Sequence, residues 1–398
     1  MSDVGSFLLI GSIAGVVTFV ATHFVRALAP RFGWVYEPTN RTIHETALPD
    51  VGGIAMYAGF IIALGAASLL DAFSLQFESN SEPIGVIIGA TIVFGTGLLD
   101  DIRNISPPAK VFGVVCGGVV LYWMGVAMFS FRLPFVDTVL LSNDLQLLVT
   151  VLWLLGMTQA INLIDGLDGL AAGVVGIGAF AFFLYSVEIA DRGIIPPGNI
   201  GPLIAVITAG VCLGFLPHNF NPARIMMGDG GALLLGLLMA VSTSVVGGRA
   251  DTIGSETIGS TYFFLAPIAI PLLILAVPIF DTAFAIVRRA SSGASLASAD
   301  KGHLHHRLLN LGHGHRRAVL ILWAWTALLS GFVLYPTLTD QNPAYLPFGL
   351  VAIGILLFTL LHPSVVERRR LNGTPPGGIG RRSVSGEPDE ADEPVRGV

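Results

Sequence analysis

Charged residues are scarce in this sequence of 398 residues, in which Asp, Glu, Lys and Arg together make up only 12%. A soluble domain usually carries about 25% of such residues, so the composition argues against a soluble globular protein. Cysteine is also rare. Cys116 and Cys212 both lie in apolar runs and supply no disulfide framework. No internal repeat is evident, so an inverted-repeat transporter receives no support.

Apolar residues, by contrast, are abundant at 53% of the chain, and the mean hydropathy is +0.75. Eleven apolar runs are long enough to cross about 30 Å of hydrocarbon. We therefore predict an all-α, polytopic integral membrane protein with about eleven transmembrane helices. The runs cover residues 5–28, 51–70, 84–99, 110–127, 145–161, 169–188, 200–217, 231–247, 261–286, 317–336 and 346–362.

The basic residues predict how these helices are oriented. All Lys and Arg residues except Arg132, Arg192 and Arg249 fall in one alternating set of segments. Because cytoplasmic loops carry an excess of Lys and Arg, we expect the amino terminus outside and the carboxyl terminus in the cytoplasm. Residues 363–398 are rich in Gly, Pro, Arg and Glu without apolar periodicity. They are predicted to form a disordered cytoplasmic tail after a membrane domain of residues 1–362.

Two adjacent acids, Asp100 and Asp101, end the third apolar run. Adjacent carboxylates repel each other unless a cation or a proton lies between them, and acids at this depth usually mark a functional site. The simpler interpretation is that they only end a helix at the membrane interface. Lys110, which follows soon after, suits a lipid phosphate, although an interfacial lysine that snorkels is an equal alternative.

A second polar group, Asn162, Asp165 and Asp168, interrupts a long apolar stretch. Asn162 and Asp165 are three residues apart, so they share a helix face. Oxygen ligands of this kind suit a hard cation such as Mg²⁺, whereas the alternative is an ordinary loop between two helices.

Asp229 lies between glycines at the start of the eighth run. It occupies a natural N-cap position, and the glycines expose backbone N–H groups that suit an anion with an accompanying Mg²⁺ at Asp229.

Five histidines lie within thirteen residues of one long loop predicted to be cytoplasmic; they are His303, His305, His306, His313 and His315. Arg307 lies within this cluster, and cations beside histidines suit a pyrophosphate. A zinc site and a solvated basic loop are the alternatives. In the first such loop, His44 and the stretch Pro49-Asp50-Val51-Gly52-Gly53 are weaker evidence.

The order of these motifs, together with Pro278-Ile279-Phe280-Asp281-Thr282, resembles the polyprenyl-phosphate N-acetylhexosamine-1-phosphate transferase family over about residues 10–360. The histidine loop is similar to the branch that uses UDP-N-acetylglucosamine, not UDP-MurNAc-pentapeptide. The resemblance implies an eleven-helix phosphotransferase of the cell membrane with its active site on the cytoplasmic face. Its donor would be UDP-N-acetylglucosamine and its acceptor an undecaprenyl or decaprenyl phosphate. UMP would be released, and the product would begin a cell-wall or surface polysaccharide.

The resemblance also implies cofactors, partners and residue roles. Mg²⁺ would be the cofactor, with Mn²⁺ able to substitute. The membrane is a partner, a nucleic acid is not, and a homodimer is compatible. Asn162 and Asp229 match metal ligands. The catalytic positions are Asp100 and Asp101, an essential acidic pair, and Asp165 and Asp168, a polar network behind the metal. The substrate-binding positions are Lys110 at the lipid phosphate, His44, and the donor loop of His303, His305, His306 and Arg307. Asn104 stands where relatives often have a third acid, which weakens any scheme that needs three carboxylates there.

Other readings have specific requirements that this sequence can be tested against. A CDP-alcohol phosphotransferase needs an arginine after its Asp-Gly motif and two further spaced aspartates. Asp168-Gly169 is followed by no arginine and by no acid up to Tyr185. A transporter needs ionisable groups near mid-membrane, whereas here they cluster toward one face.

Asp100 could act as a base, as a positioning group, as a ligand of a second cation or, least favoured, as a covalent nucleophile.

Overall fold

A computed structural model describes residues 4–36, 47–78, 81–132, 138–248, 308–309, 311–339 and 345–362. Regular structure in these ranges is almost entirely helical, which confirms the predicted all-α class. The helices are α1 (Val4–Leu28), α2 (Gly53–Ala67), the short α3 (Ser74–Glu78), α4 (Glu82–Arg103), α5 (Pro107–Trp123), α6 (Asn143–Ile164), α7 (Leu170–Asp191), α8 (Gly201–Asn219), α9 (Gly228–Gly247), α10 (His315–Thr339) and α11 (Tyr345–Leu361).

Ten of the predicted apolar runs coincide with one of these helices, and the run at 261–286 lies outside the described residues. In the described part of the chain, seven helical segments are long and apolar enough to cross a membrane. Helix α2 is followed by a segment, Asp71–Glu78, that is bent from it by 96°. Helices α5 and α11 are shorter, with 17 residues each. The chain is therefore a polytopic membrane protein.

Two small antiparallel ribbons accompany the helices. In the first, β1 (Val35–Tyr36) pairs with β2 (Leu48–Pro49), with Val35 opposite Pro49. In the second, β3 (Ser130–Arg132) pairs with β4 (Thr138–Leu140). Neither ribbon was predicted, because two or three residues are too few to show the alternation that identifies a strand.

Helix α9 forms the centre of the bundle. It packs against α2, α4, α6 and α8, and Asp229 is its only residue that is not buried. Burial on all sides places α9 in the core of the bundle and away from the lipid surface. The polar side chain at its beginning therefore stands out against an otherwise apolar element.

Glycines let α1 and α8 approach each other closely. A Cβ atom at Gly210 would lie 2.1 Å from the carbonyl oxygen of Gly11, and one at Gly214 would lie 2.1 Å from that of Gly15. Backbone contact through small residues is how helices associate where lipid removes the hydrophobic driving force. The other side of α1 exposes large apolar residues, including Leu8, Val16 and Phe24, as expected for a lipid-facing surface.

Helices α6 and α9 run antiparallel. Trp153 Nε1 donates to Thr243 Oγ1 at 2.9 Å, and a Cβ atom at Gly236 would lie 2.4 Å from the Cα atom of Thr158. Later residues of α6 thus meet earlier residues of α9. Asn162 is about one turn beyond Thr158, so it lies beside the beginning of α9.

Candidate active site

The end of α4 caps the beginning of α9. Asp101 Oδ1 accepts a hydrogen bond from the backbone N–H of Asp229 at 2.6 Å, and Asp101 Oδ2 accepts one from that of Gly230 at 2.9 Å. The first N–H groups of a helix have no partner within it, and a carboxylate there is also favoured by the helix dipole.

This contact corrects two expectations. Asp229 is not the N-cap of α9, because the helix begins at Gly228 and the cap position is Met227, without a side-chain hydrogen bond. The exposed N–H groups expected to bind a ligand anion are instead occupied by the carboxylate of Asp101. Gly228 has φ +67°, and a Cβ atom there would lie 2.6 Å from Asp101 Oδ2. Glycine is therefore required where the chain enters the helix.

Asp100 points to a different partner. Lys110, in the first turns of α5, places Nζ 2.6 Å from Asp100 Oδ2 and also donates a hydrogen bond to Asp229 Oδ2. One ammonium group thus joins carboxylates from α4 and α9. The adjacent acids that the sequence presents as a pair have separate tasks: Asp100 binds the lysine and Asp101 binds the helix terminus.

The carboxylates of Asp100, Asp101 and Asp229 line a cavity of about 400 Å³, a volume within the usual range for small-molecule sites. Its walls contain Asp50, a carboxylate whose role the sequence does not indicate. Four carboxylates therefore surround one space. The lining residues are Gly33, Trp34, Val35, Asp50, Val51, Asp100, Asp101, Ile102, Asn104 and Asp229.

The segment that carries Asp50 is held against the beginning of α9 by backbone hydrogen bonds. Met226 N–H donates to Pro49 O at 2.9 Å, and Gly52 N–H donates to Met226 O at 3.0 Å. A Cβ atom at Gly53 would lie 2.3 Å from the backbone nitrogen of Gly231. The Pro-Asp-Val-Gly-Gly stretch thus does more than start α2: it packs that helix against α9 and brings Asp50 to the cavity.

Asn104 ends α4 in a left-handed conformation with φ +48°, which asparagine tolerates better than most residues. Its N–H donates to Asp100 O at 2.8 Å. Asn104 is therefore a helix terminator that also lines the cavity.

Asp165 lies just after α6. Burial raises the pKa of Asp165 well above its ordinary value, and the negative charges of Asp50, Asp229 and Asp168 raise it further. The carboxylate therefore lies in a region of accumulated negative charge. A bound cation would favour its ionised form.

Asp168 is buried and holds the loop that leads into α9. Its Oδ2 accepts hydrogen bonds from Ala223 N–H at 3.0 Å and Asn221 Nδ2 at 2.9 Å. Asn219 reinforces the loop, because its Oδ1 accepts from Gly169 N–H and its Nδ2 donates to Ile225 O, both at 3.0 Å. Sequence reasoning missed both asparagines, although amides at the end of an apolar helix are a usable signal.

The donor set fits a magnesium ion. Among the described residues, no group of three His, Cys, Asp or Glu side chains is arranged to hold a metal. Mg²⁺, however, is commonly bound through one or two carboxylates together with water and substrate phosphates. Asp100 and Asp229 already converge on one cationic atom, and Asn162 lies beside the beginning of α9.

The remaining predicted substrate-binding positions, His44, His303, His305, His306 and Arg307, lie outside the described residues. The same is true of Asp281 and its neighbours.

Comparison with known proteins gives a consistent family. A family model described as Glycosyl transferase family 4 matches residues 83–247, which include Asp100 and Asp101 of α4, Asp229 of α9 and the acids of the loop after α6. The chain is 36% identical over 376 residues to the decaprenyl-phosphate N-acetylglucosaminephosphotransferase of Mycolicibacterium smegmatis, covering 91% of each protein. It is 38% identical over 331 residues to the protein of that name from Mycobacterium tuberculosis, covering 81% of this chain and 80% of the relative.

A third relative is the probable undecaprenyl-phosphate N-acetylglucosaminyl 1-phosphate transferase of Bacillus subtilis. It is 31% identical over 354 residues, which cover 88% of this chain and 89% of the relative. Identity of this extent over nearly the whole length, joined to the motifs and their convergence in space, leads to one assignment. The chain belongs to glycosyl transferase family 4, the polyprenyl-phosphate N-acetylhexosamine-1-phosphate transferases.

Proposed function

We propose that this protein transfers N-acetylglucosamine-1-phosphate from UDP-N-acetylglucosamine to a polyprenyl phosphate and releases UMP. The reaction depends on Mg²⁺ and takes place at the cytoplasmic face of the cell membrane. One observation carries the proposal: Asp50, Asp100, Asp101 and Asp229, from distant parts of the chain, surround one cavity with Lys110 bound among them. The names of the three relatives support N-acetylglucosamine as the sugar.

Asn162 and Asp229 would hold the cation. When bound, Mg²⁺ supplies positive charge that stabilises the phosphate leaving with UMP. Lys110 would bind the lipid phosphate as a point charge, and Asp100 would orient that lysine through their ion pair. Asp101 would keep Asp229 in position by holding the backbone of α9. The histidines and Arg307 would bind the donor pyrophosphate.

The chemical step needs no base from the protein. An oxygen of the lipid phosphate attacks the β-phosphorus of the donor, and the bond from that phosphorus to the bridging oxygen breaks. The bridging oxygen leaves with its electron pair as part of UMP. A phosphate monoester has a second pKa of about 6, so the attacking group is already mostly ionised at neutral pH. The side chains of the protein would therefore contribute by positioning the two substrates and by supplying charge.

The same proposal includes the arrangement of the protein in the membrane. It has eleven spans, with the amino terminus outside and the carboxyl terminus in the cytoplasm. Residues 1–362 form the transferase domain, residues 363–398 form its tail, and a homodimer is a compatible assembly.

The direct test uses purified full-length protein with labelled UDP-N-acetylglucosamine, undecaprenyl or decaprenyl phosphate and Mg²⁺. We expect equal amounts of UMP and a lipid-linked sugar pyrophosphate, and neither product in the presence of EDTA. Asp229→Asn should abolish both products. UDP-N-acetylgalactosamine and UDP-MurNAc-pentapeptide are tested in parallel. Faster turnover of either would reassign the donor, and no UMP from any donor would reject the transferase proposal.

A further inference from the structure

Lys110 is bound where a metal ion is expected. Its Nζ contacts Asp100 Oδ2 and Asp229 Oδ2 together, so one cationic atom already joins the two carboxylates. The side chains are 17% (Lys110), 16% (Asp100) and 23% (Asp229) exposed, so water screens their interaction only partly. The lysine thus provides the charge that keeps these acids together.

A divalent ion and this ammonium group cannot both bind the Asp229 carboxylate at the same position. A Mg²⁺ ion lies about 2.0–2.1 Å from each oxygen that binds it, so it would come within a few ångströms of a Lys110 Nζ that kept its present contact. Two cations at that distance repel strongly in a partly buried site. The ammonium group of Lys110 is carried on a flexible four-carbon stem, which allows it to leave Asp229.

We propose that Lys110 competes with the divalent cation for Asp229, so that metal binding at Asp229 is coupled to release of the lysine ammonium. The proposal rests on the proposed function, from which it takes the use of a divalent cation. Lys110 stabilises the acids before the ion binds, and its displaced ammonium then becomes available to a phosphate anion. The competition therefore favours an order in which the cation binds before the lipid phosphate.

The test measures cation binding without any substrate. Full-length protein is stripped with EDTA and titrated with Mn²⁺, and free Mn²⁺ is followed by electron paramagnetic resonance. Lys110→Met removes the competing charge while keeping an unbranched side chain. We expect Lys110→Met to bind Mn²⁺ at least about tenfold more tightly than the unchanged protein. Equal or weaker binding, or no Mn²⁺ binding by either protein, would overturn the proposal.

Two further variants separate competition from general charge. Arg103→Met removes an exposed positive charge from the end of α4 and should change Mn²⁺ affinity less than about threefold. If Arg103→Met tightened Mn²⁺ binding as much as Lys110→Met, the tighter binding would come from the overall loss of positive charge and not from displacement of Lys110. Lys110→Gln repeats the measurement with a polar side chain in case the methionine variant does not fold.

Thermal unfolding gives an independent readout. In EDTA, Lys110→Met should unfold at a lower temperature than the unchanged protein, because Asp100 and Asp229 then face each other without a cation. Saturating Mn²⁺ should raise the midpoint of the variant more than that of the unchanged protein. Equal shifts would contradict the competition. Since no step uses a sugar nucleotide, a protein that binds Mn²⁺ as expected but releases no UMP would reject the proposed function alone.

Discussion

Neighbouring residues can have unrelated roles when they project from different sides of a helix, and Asp100 and Asp101 illustrate this. Successive side chains on an α-helix are separated by about 100°, so one carboxylate faces Lys110 on α5 and the other faces the beginning of α9. The sequence presents them as one acidic pair. Their partners are also far apart in the sequence. Lys110 follows Asp100 by ten residues, whereas Asp229 is more than a hundred residues away from Asp101.

Removing the carboxylate of Asp101 should destabilise the protein and lower its activity. Asp101→Ala leaves two N–H groups of α9 without an acceptor, which should lower the free energy of unfolding by about 1–3 kcal/mol. Asp101→Asn keeps one acceptor and should have an intermediate effect. Unfolding midpoints in detergent measure this order. An alanine variant as stable as the unchanged protein would show that the cap contributes nothing.

Asp100→Asn should reduce kcat by about 10²-fold at every pH. The substitution removes the charge that orients Lys110, while the ionisation of the lipid phosphate at about pH 6 still governs the acid limb of the pH profile. The shape of the profile should therefore stay unchanged. It is measured as kcat between mildly acidic and mildly alkaline pH, and a lost or displaced acid limb in the variant would assign Asp100 the role of a base.

The sequence indicated which residues are unusual but not what they contact. Asp100, Asp165 and Asp229 were found because acids are rare in apolar runs, and this needs no structure. The cap between Asp101 and α9, the tether from Asp168 to the loop before α9, and the place of Asp50 all depend on helices packed side by side. Such contacts leave no local pattern in the sequence, so only the folded chain reveals them.

At the scale of elements, the site depends on how closely α4 and α9 approach. A Cβ atom at Gly97 would lie 2.6 Å from the carbonyl oxygen of Asp229 and from the Cα atom of Gly230. Both atoms belong to the backbone, which cannot move aside as a flexible side chain can. The length of the apolar run was enough to predict α4. The position of α4 relative to α9 depends on this close backbone contact, which the apolar run does not indicate.

Gly97→Ala should therefore separate the two helices. We expect it to destabilise the protein by about 1–3 kcal/mol through overpacking and to lower activity, because Asp100 and Asp101 would move away from their partners. Gly95→Ala is the matched control, since a Cβ atom there would meet nothing within 4 Å. That variant should be as stable as the unchanged protein or slightly more so. Comparable losses in both variants would show that the close approach of α4 to α9 is not responsible.

At the scale of the whole molecule, contacts at the two ends of the bundle constrain the topology. Asp101 joins the end of α4 to the beginning of α9, which defines the end of the bundle that carries the site. Arg316, at the start of α10, donates to Asn221 O at 2.9 Å in the loop that Asp168 holds. Arg192, at the far end of α7, donates to Thr337 O at 2.6 Å near the end of α10. Helices α9 and α10 therefore both start at the site end of the bundle and run toward its far end.

The one span predicted from residues 261–286, which lie outside the described residues, would return the chain from the end of α9 to the start of α10. Helix α11 returns to the site end, because His313 Nε2 and Thr359 O lie 2.8 Å apart. The end of α11 and the site thus share one end of the bundle, and the distribution of Lys and Arg predicts that this end faces the cytoplasm. A fluorescent protein fused after residue 398 should fluoresce inside the cell, and alkaline phosphatase fused after Gly247 should be active outside. Phosphatase activity from the carboxyl-terminal position would contradict both the count of eleven spans and the sidedness of the site.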